Sequence, residues 1–171
     1  MDVIARAVEA GGANWITIHA RTKQERYQPG VHWDAVARVK SRLSIPVVAN
    51  GDLFTAEDVA HCAAETGCSH FMIGRGILKN PFLAHDIRAS RPLPALRQDI
   101  PTRTPDRLML GIERYAKLTQ DQAANSGFIP SRVKQWAGMV RDISDEAPRQ
   151  LLKAVKHART TSELLTMLQA Q

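Results

Sequence analysis

Cysteine is scarce: Cys62 and Cys68 are the only two in 171 residues. They form no Cys-x-x-Cys pair, which argues against a zinc ribbon, and two thiols make no disulfide framework, in keeping with a reducing compartment. No metal-ligand spacing occurs among His61, His70, His85 or the other histidines. Apolar runs of membrane-spanning length are missing. The opening Met1–Arg6 has no long apolar core of a signal peptide. The expectation is a soluble cytoplasmic protein with no metal and no membrane partner. There is no internal repeat and no low-complexity segment. What is present is ordinary globular composition, 44% hydrophobic and 23% charged. The formal net charge is +6 and the pI about 9.7. Such a balance favours a polyanionic partner, nucleic acid first, with a basic enzyme lacking that partner as the alternative.

Three short runs read as strands: Trp15–His19, Pro46–Asn50 and His70–Gly74. Each is nearly continuous in apolar residues, the pattern of a parallel strand buried on both faces. Ile16, Ile18, Val48 and Ile73 are expected on the inner face of the sheet. Helical patterns separate the runs. Val36, Val39 and Leu43 recur at helical spacing after Trp33, and Val59, Ala60, Ala63 and Ala64 do so between Ala56 and Glu65. Thr55 is an N-cap candidate with Asp58 three residues on. A further short helix runs through Phe82, Leu83 and Ile87. Repeated strand–helix units predict a parallel α/β sheet. The chain opens in a helix with an apolar stripe, Val3, Ile4, Ala7 and Val8, ended by Gly11-Gly12, and no strand precedes it. Three units cover roughly 100 residues where an eight-unit barrel takes about 250, so a truncated barrel is expected.

From Ser90 to Pro105 the texture changes, with Pro92, Pro94, Pro101 and Pro105 marking an interdomain linker. Helical patterns follow: Asp106–Ala124 with Leu108, Ile112, Tyr115 and Leu118 in line, and Ser131–Ile143 with Val133, Trp136, Ala137 and Val140. Two shorter ones run over Asp145–Ala158 and Thr161–Ala170. The expected organisation is a C-terminal portion of an α/β barrel over 1–90, a linker over 91–104 and a small all-α bundle over 105–171.

In a parallel sheet, function sits at the carboxyl ends of the strands. Those ends read His19-Ala20-Arg21-Thr22, Asn50-Gly51-Asp52 and Gly74-Arg75-Gly76. Two consecutive ends carry glycine, which allows close backbone approach and an anion nest, and Arg75 adds a fixed positive charge. A phosphate site made by Asn50-Gly51-Asp52 and Gly74-Arg75 follows; taken singly, each glycine serves equally well as a tight turn. His19, with Arg21-Thr22 beside it, is either structural or in contact with the same ligand. Cys62 and Cys68 have no base partner and read as small core residues. Arg132 and Lys134 are two apart on a helix and diverge by about 160°; with Arg141, Arg149, Lys153, Lys156 and Arg159 they make a basic surface. Trp136 aligns with Val133 and Val140 and is expected to be buried in the bundle.

These motifs together resemble the bacterial tRNA-dihydrouridine synthases over nearly the whole chain. His19-Ala20-Arg21-Thr22-Lys23, with Tyr27 downstream, is similar to the family's His-x-Arg-Thr loop. Ile45–Asp52 and Met72–Gly76 look like its two flavin-phosphate segments, and Arg132-Val133-Lys134-Gln135-Trp136 points to the tRNA-dihydrouridine synthase C subfamily. The resemblance implies the C-terminal part of a TIM barrel followed by a helical tRNA-binding domain. It implies FMN contact by His19, Asn50, Gly51, Asp52, Gly74 and Arg75, NADPH as reductant, and tRNA contact by Tyr27, Arg132, Lys134 and Lys156. The implied reaction is reduction of uridine to 5,6-dihydrouridine, at position 16 of the D-loop, by a protein that is a monomer at full length. The family's proton-donor loop, Asn-Cys-Gly-Cys-Pro, has no counterpart here, so no catalytic residue is assigned and the fragment alone is expected to be inactive. The alternatives are a TIM-barrel flavin oxidoreductase acting on a small molecule, and a non-catalytic RNA-binding remnant.

Overall fold

The computed structural model describes residues 1–25, 30–90, 105–123, 127–140, 153 and 155–169. It divides into two compact units, residues 1–77 with 83–94, and residues 78–82 with 95–171. Tyr27, the 91–104 segment, Arg141, Arg149 and most of the Asp145–Ala158 pattern lie outside the described residues.

The first unit is α/β. Helix α1 (Asp2–Ala10) leads to strand β1 (Ile16–His19); α2 (Trp33–Lys40), β2 (Val47–Asn50), α3 (Ala56–Thr66) and β3 (His70–Met72) follow. The strands form a parallel sheet in the order β1-β2-β3. Its register pairs His19 with Asn50 and Asn50 with Met72, so three strand-end residues lie in one row. Helix α3 begins as the sequence dictates. The Thr55 hydroxyl accepts from the Asp58 amide at 3.0 Å, the Asp58 carboxylate accepts from the Thr55 amide at 2.9 Å, and Gly67 ends the helix at φ 67°. Two backbone donors and the C-terminal turn are thereby satisfied.

The strands are not buried on both faces. The pleat sends alternate side chains to opposite sides. Ile18, Val47 and Ala49 are buried with Val36, Val39, Val59, Cys62 and Cys68 in one core, whereas Thr17, His19, His70 and Met72 are exposed. The expected inner-face set of Ile16, Ile18, Val48 and Ile73 is therefore corrected. Ile16 pairs with Val47 and Ile18 with Ala49, which puts both in the helix-covered layer. Ile73 packs against that same core. Of the four, only Val48 belongs to the other face, because one step along a strand reverses the side. The stripe on α1 behaves likewise: Ala5 is buried, while Val3 and Ile4 are 82% and 70% exposed. Polar contacts fix α1, with Asp2 paired to Arg42 and Glu9 accepting from the Ser44 amide and hydroxyl, each at 2.7 Å. Both cysteines are buried, and burial pushes the Cys62 thiol up to about 11.

Short helices α4 (Arg75–Lys79) and α5 (Leu83–Ala89) follow β3, and α5 packs on α3. The second unit contains α6 (Pro105–Ala123), α7 (Phe128–Val140) and α8 (Thr161–Gln169). Helix α6 packs on α7 and α8 around Ile112, Ala116, Ile129, Val133, Ala137 and Leu164. The expected stripe on α6 is corrected at its end: Leu118 is exposed, and Ala116, four residues after Ile112, takes the buried place. Trp136 is half-buried rather than fully buried, packed against the core with its indole N–H donating to the Leu78 carbonyl at 3.0 Å.

Candidate functional site

The three strand ends of the first unit converge on one cavity of about 160 Å³. Its lining includes His19, Asn50, Gly51, Asp52, Gly74 and Arg75, with Leu53, Phe54, Met72 and Gly76 completing the wall. The six residues singled out from the sequence for cofactor binding are thus brought together. Among the described residues, no group of three His, Cys, Asp or Glu is arranged to hold a metal ion.

Asn50 organises the row. Its side-chain amide donates to the Met72 carbonyl at 2.6 Å, and its Oδ1 lies 2.5 Å from His19 Nδ1. Because the amide nitrogen faces a carbonyl, Oδ1 must be the atom facing His19, and an amide oxygen can only accept. His19 Nδ1 therefore carries the proton, and in the neutral ring Nε2 is left as an acceptor.

Gly51 and Asp52 form the turn after β2. Gly51 has φ 138° and Asp52 has φ 48°, a region that costs little for glycine and is tolerated by Asp. A Cβ on Gly51 would lie 3.3 Å from the Ala20 Cβ, so glycine serves both conformation and space. The Gly51 carbonyl accepts from the indole of buried Trp33 at 3.4 Å. This turn aims the Asp52 carboxylate at two guanidinium groups. Arg21 Nη1 donates to Oδ1 at 2.6 Å and its Nη2 donates to Oδ2; Arg75 Nη2 lies 3.4 Å from Oδ1. Arg21 also donates from Nε to the Gly30 carbonyl at 3.0 Å. Its side chain is 2% exposed, against 43% for Arg75. The hydrogen bond to Asp52 holds the Arg21 guanidinium above its ordinary value. Arg75 in addition stacks over the Phe54 ring, 5.5 Å from its centroid.

The two glycines flanking Arg75 differ. A Cβ on Gly74 would meet no atom within 4 Å; packing does not require glycine there, and a side chain would project into open space beside the cavity wall it lines. A Cβ on Gly76 would lie 2.0 Å from the Leu53 carbonyl and 3.0 Å from Leu83. Glycine is compulsory at that position because α4 starts in contact with the turn after β2. Arg21, Gly76 and Phe54 were not singled out from the sequence as members of the site. The signal for Gly76 was its place as the third residue of Gly-Arg-Gly. The signal for Arg21 was its place beside His19; its burial makes it a support for Asp52, while His19 lines the cavity.

The residues expected to meet RNA are more scattered. Tyr27 lies outside the described residues. Arg132 is exposed on α7, with its guanidinium 5.1 Å from the Phe128 ring centroid and a donor 2.9 Å from Gln135 Oε1. Lys134 is half-buried and donates to the Ala158 carbonyl at 2.5 Å. Lys156 is exposed. A cavity of about 450 Å³ in the second unit is lined by Leu78, Tyr115, Arg132, Gln135, Trp136 and Met139.

Glycine turns and guanidinium groups at the carboxyl ends of a parallel α/β layer are the type of arrangement that suits an anion. The model of the dihydrouridine synthase family matches residues 2–170, and the chain belongs to that family. It is similar to proteins named tRNA-dihydrouridine(16) synthase: 36% identical to that of Ralstonia nicotianae over 96% of this chain and 48% of the relative, and 32% identical to that of Neisseria meningitidis serogroup A over 97% and 48%. The Haemophilus influenzae protein of the same name is 34% identical over 94% of this chain and 49% of its own length. The chain spans about half the length of the curated relatives it matches. Among the described residues, no helix is long and apolar enough to cross a membrane.

Proposed function

We propose that these residues are the C-terminal part of an enzyme that reduces uridine 16 of tRNA to dihydrouridine, with FMN as its flavin and NADPH as reductant. On this reading residues 1–90 are the last portion of a TIM barrel, 91–104 a linker and 105–171 a tRNA-binding helical bundle. The observation that carries it is the convergence of His19, Asn50, Gly51, Asp52, Gly74 and Arg75 on one cavity at adjacent strand ends. These residues suit a phosphate. Arg21 and Arg75 share one carboxylate, and the open space at Gly74 admits an anion beside Arg75. FMN, when bound, supplies the hydride. The part of Arg75 and the Gly74 backbone is to hold the phosphate end, and the part of His19 is to offer Nε2 as an acceptor to a hydroxyl or amide donor.

The tRNA contacts we assign are Arg132, Lys134 and Lys156, together with Tyr27. No Asn-Cys-Gly-Cys-Pro sequence occurs in these 171 residues; the proposed reaction is that of the whole protein, and no residue here is assigned as its proton donor. The proposed setting is a cytoplasmic monomer. The test is to delete the gene and map dihydrouridine in isolated tRNA by mass spectrometry. Loss of dihydrouridine at position 16, restored by the intact gene, is expected. Unchanged modification at that position would favour an RNA-binding remnant or a small-molecule flavin enzyme instead.

A further inference from the structure

We infer that Arg21 is a positioning residue which sets the charge and geometry of the anion site without touching the ligand, by holding Asp52 so that its carboxylate draws less on Arg75. The inference rests on the reading of the strand-end cavity as a phosphate site. Its basis is the disposition of three groups. Arg21 is buried and makes a two-pronged contact with the Asp52 carboxylate, one nitrogen to each oxygen. Arg75 reaches the same carboxylate from the exposed side, at the longer distance of 3.4 Å and on one oxygen only. Asp52 also sits at φ 48°, directly after Gly51 at φ 138°. Its carboxylate therefore marks the orientation of the whole turn.

A carboxylate beside a phosphate site is a liability, because it repels the ligand and competes for the cation that should bind it. With Arg21 neutralised, Asp52 has Arg75 as its remaining guanidinium partner and draws on it more strongly. The planar fork matters as well as the charge. Arg21 fixes both carboxylate oxygens and, through Nε, the Gly30 carbonyl, a three-point attachment that an ammonium group cannot reproduce. Burial strengthens the pair by excluding water from one side.

The full chain is titrated with FMN and, separately, with riboflavin, which lacks the phosphate, following flavin fluorescence. Wild type, Arg21→Gln, Arg21→Lys, Asp52→Asn and the Arg21→Gln/Asp52→Asn double variant are compared, each checked by near-UV circular dichroism. Wild type is expected to prefer FMN. Arg21→Gln should lose about tenfold or more in FMN affinity, the scale of one charge-assisted hydrogen bond, while riboflavin affinity stays within about twofold. Arg21→Lys should fall between them. The double variant should recover much of the FMN loss, because the competing carboxylate has gone with the group that restrained it. A purely structural Arg21 predicts the opposite: FMN and riboflavin fall together, and the double variant is no better than the single one. Either of those results overturns the inference. If wild type shows no preference for FMN over riboflavin, the phosphate reading fails and the inference with it. If wild type keeps the preference and Arg21→Gln matches it, the inference alone fails.

Discussion

At the strand ends the backbone gathers charged groups; on α7 it disperses them. His19, Asn50, Asp52 and Arg75 come from three separate strand ends, yet they line one cavity. Arg132 and Lys134 are two residues apart, yet one stacks on Phe128 in the open and the other is tied to the Ala158 carbonyl. The contrast follows from geometry. Parallel strands set all their carboxyl ends along one edge, about 4.8 Å apart, so residues distant in sequence converge. A helix rotates about 100° per residue, so neighbours in sequence diverge. A compact ligand group such as a phosphate matches the first arrangement. A long polyanion, contacted at separated points, matches the second.

The largest expected effects lie at the strand ends. Gly76→Ala should cost at least about 3 kcal/mol, the upper end of overpacking, because its Cβ would meet the Leu53 carbonyl, a backbone atom, at 2.0 Å. Gly74→Ala, two residues earlier, should change stability by less than about 1 kcal/mol while weakening FMN binding. Urea denaturation of the full chain measures the first effect and flavin titration the second. Equal stability of the two variants would show that α4 is not locked to the turn after β2.

On α7 the expected effects are smaller. Trp136→Ala should cost about 2 kcal/mol, below the range for a fully buried tryptophan, because the ring is half-buried and its N–H engages the Leu78 carbonyl. A loss near 4 kcal/mol in denaturant titration would mean that the ring is buried after all. Arg132 and Lys134 should then separate. Arg132→Gln should weaken tRNA binding and flatten the dependence of log affinity on log salt by about 0.7–0.9, one phosphate contact. Lys134→Gln should flatten that slope by less, because the Ala158 carbonyl already holds its ammonium group, and lower stability by about 1 kcal/mol. Identical salt slopes for both variants would assign Lys134 to RNA as firmly as Arg132.

Much of this arrangement was legible in the sequence, and the reason is local. The Thr55–Asp58 cap, the parallel strand–helix order and the Gly-containing strand ends are each written within a few residues. The face of each strand was not. Ile16 and Ile18 were expected to face inward because continuous apolar runs carry no alternation to read; register with Val47 and Ala49 decides it. Arg21 counted only as a sign that its loop lies near a ligand, because motif position says nothing about burial. Gly76 was noticed only as the last residue of the Gly-Arg-Gly segment, since its necessity comes from the Leu53 carbonyl, more than twenty positions away. On α6 the spacing of Leu118 fitted the stripe, but the packing of α7 and α8 selected Ala116 instead.

The smallest expected effect lies in the loop that joins β1 to α2 beside the strand-end site, and it is a matter of pH. Glu25 accepts from the Thr22 amide at 2.7 Å and hydroxyl at 2.9 Å, and lies 2.6 Å from His32 Nε2. The Thr22 amide, followed by His32 and the Thr22 hydroxyl, lowers the Glu25 carboxyl to about 2; the hydrogen bond it donates to Glu25 raises His32 above the ordinary 6.5. The signs are opposite. A raised histidine contributes stability that is complete below 6.5 and is lost as pH climbs through its folded value. A lowered carboxylate contributes stability that is complete above 4.5 and is lost as pH falls toward about 2. The clasp is therefore strongest between about 4.5 and 6.5 and loosens on the alkaline side first. Both groups are exposed, so salt should weaken it. Proton NMR of the His32 ring in the full chain is expected to give a titration midpoint above 6.5 that falls back toward 6.5 in Glu25→Gln and moves the same way with added salt. A midpoint at or below 6.5 in the unaltered chain, or one indifferent to Glu25→Gln, would show that His32 does not hold this loop.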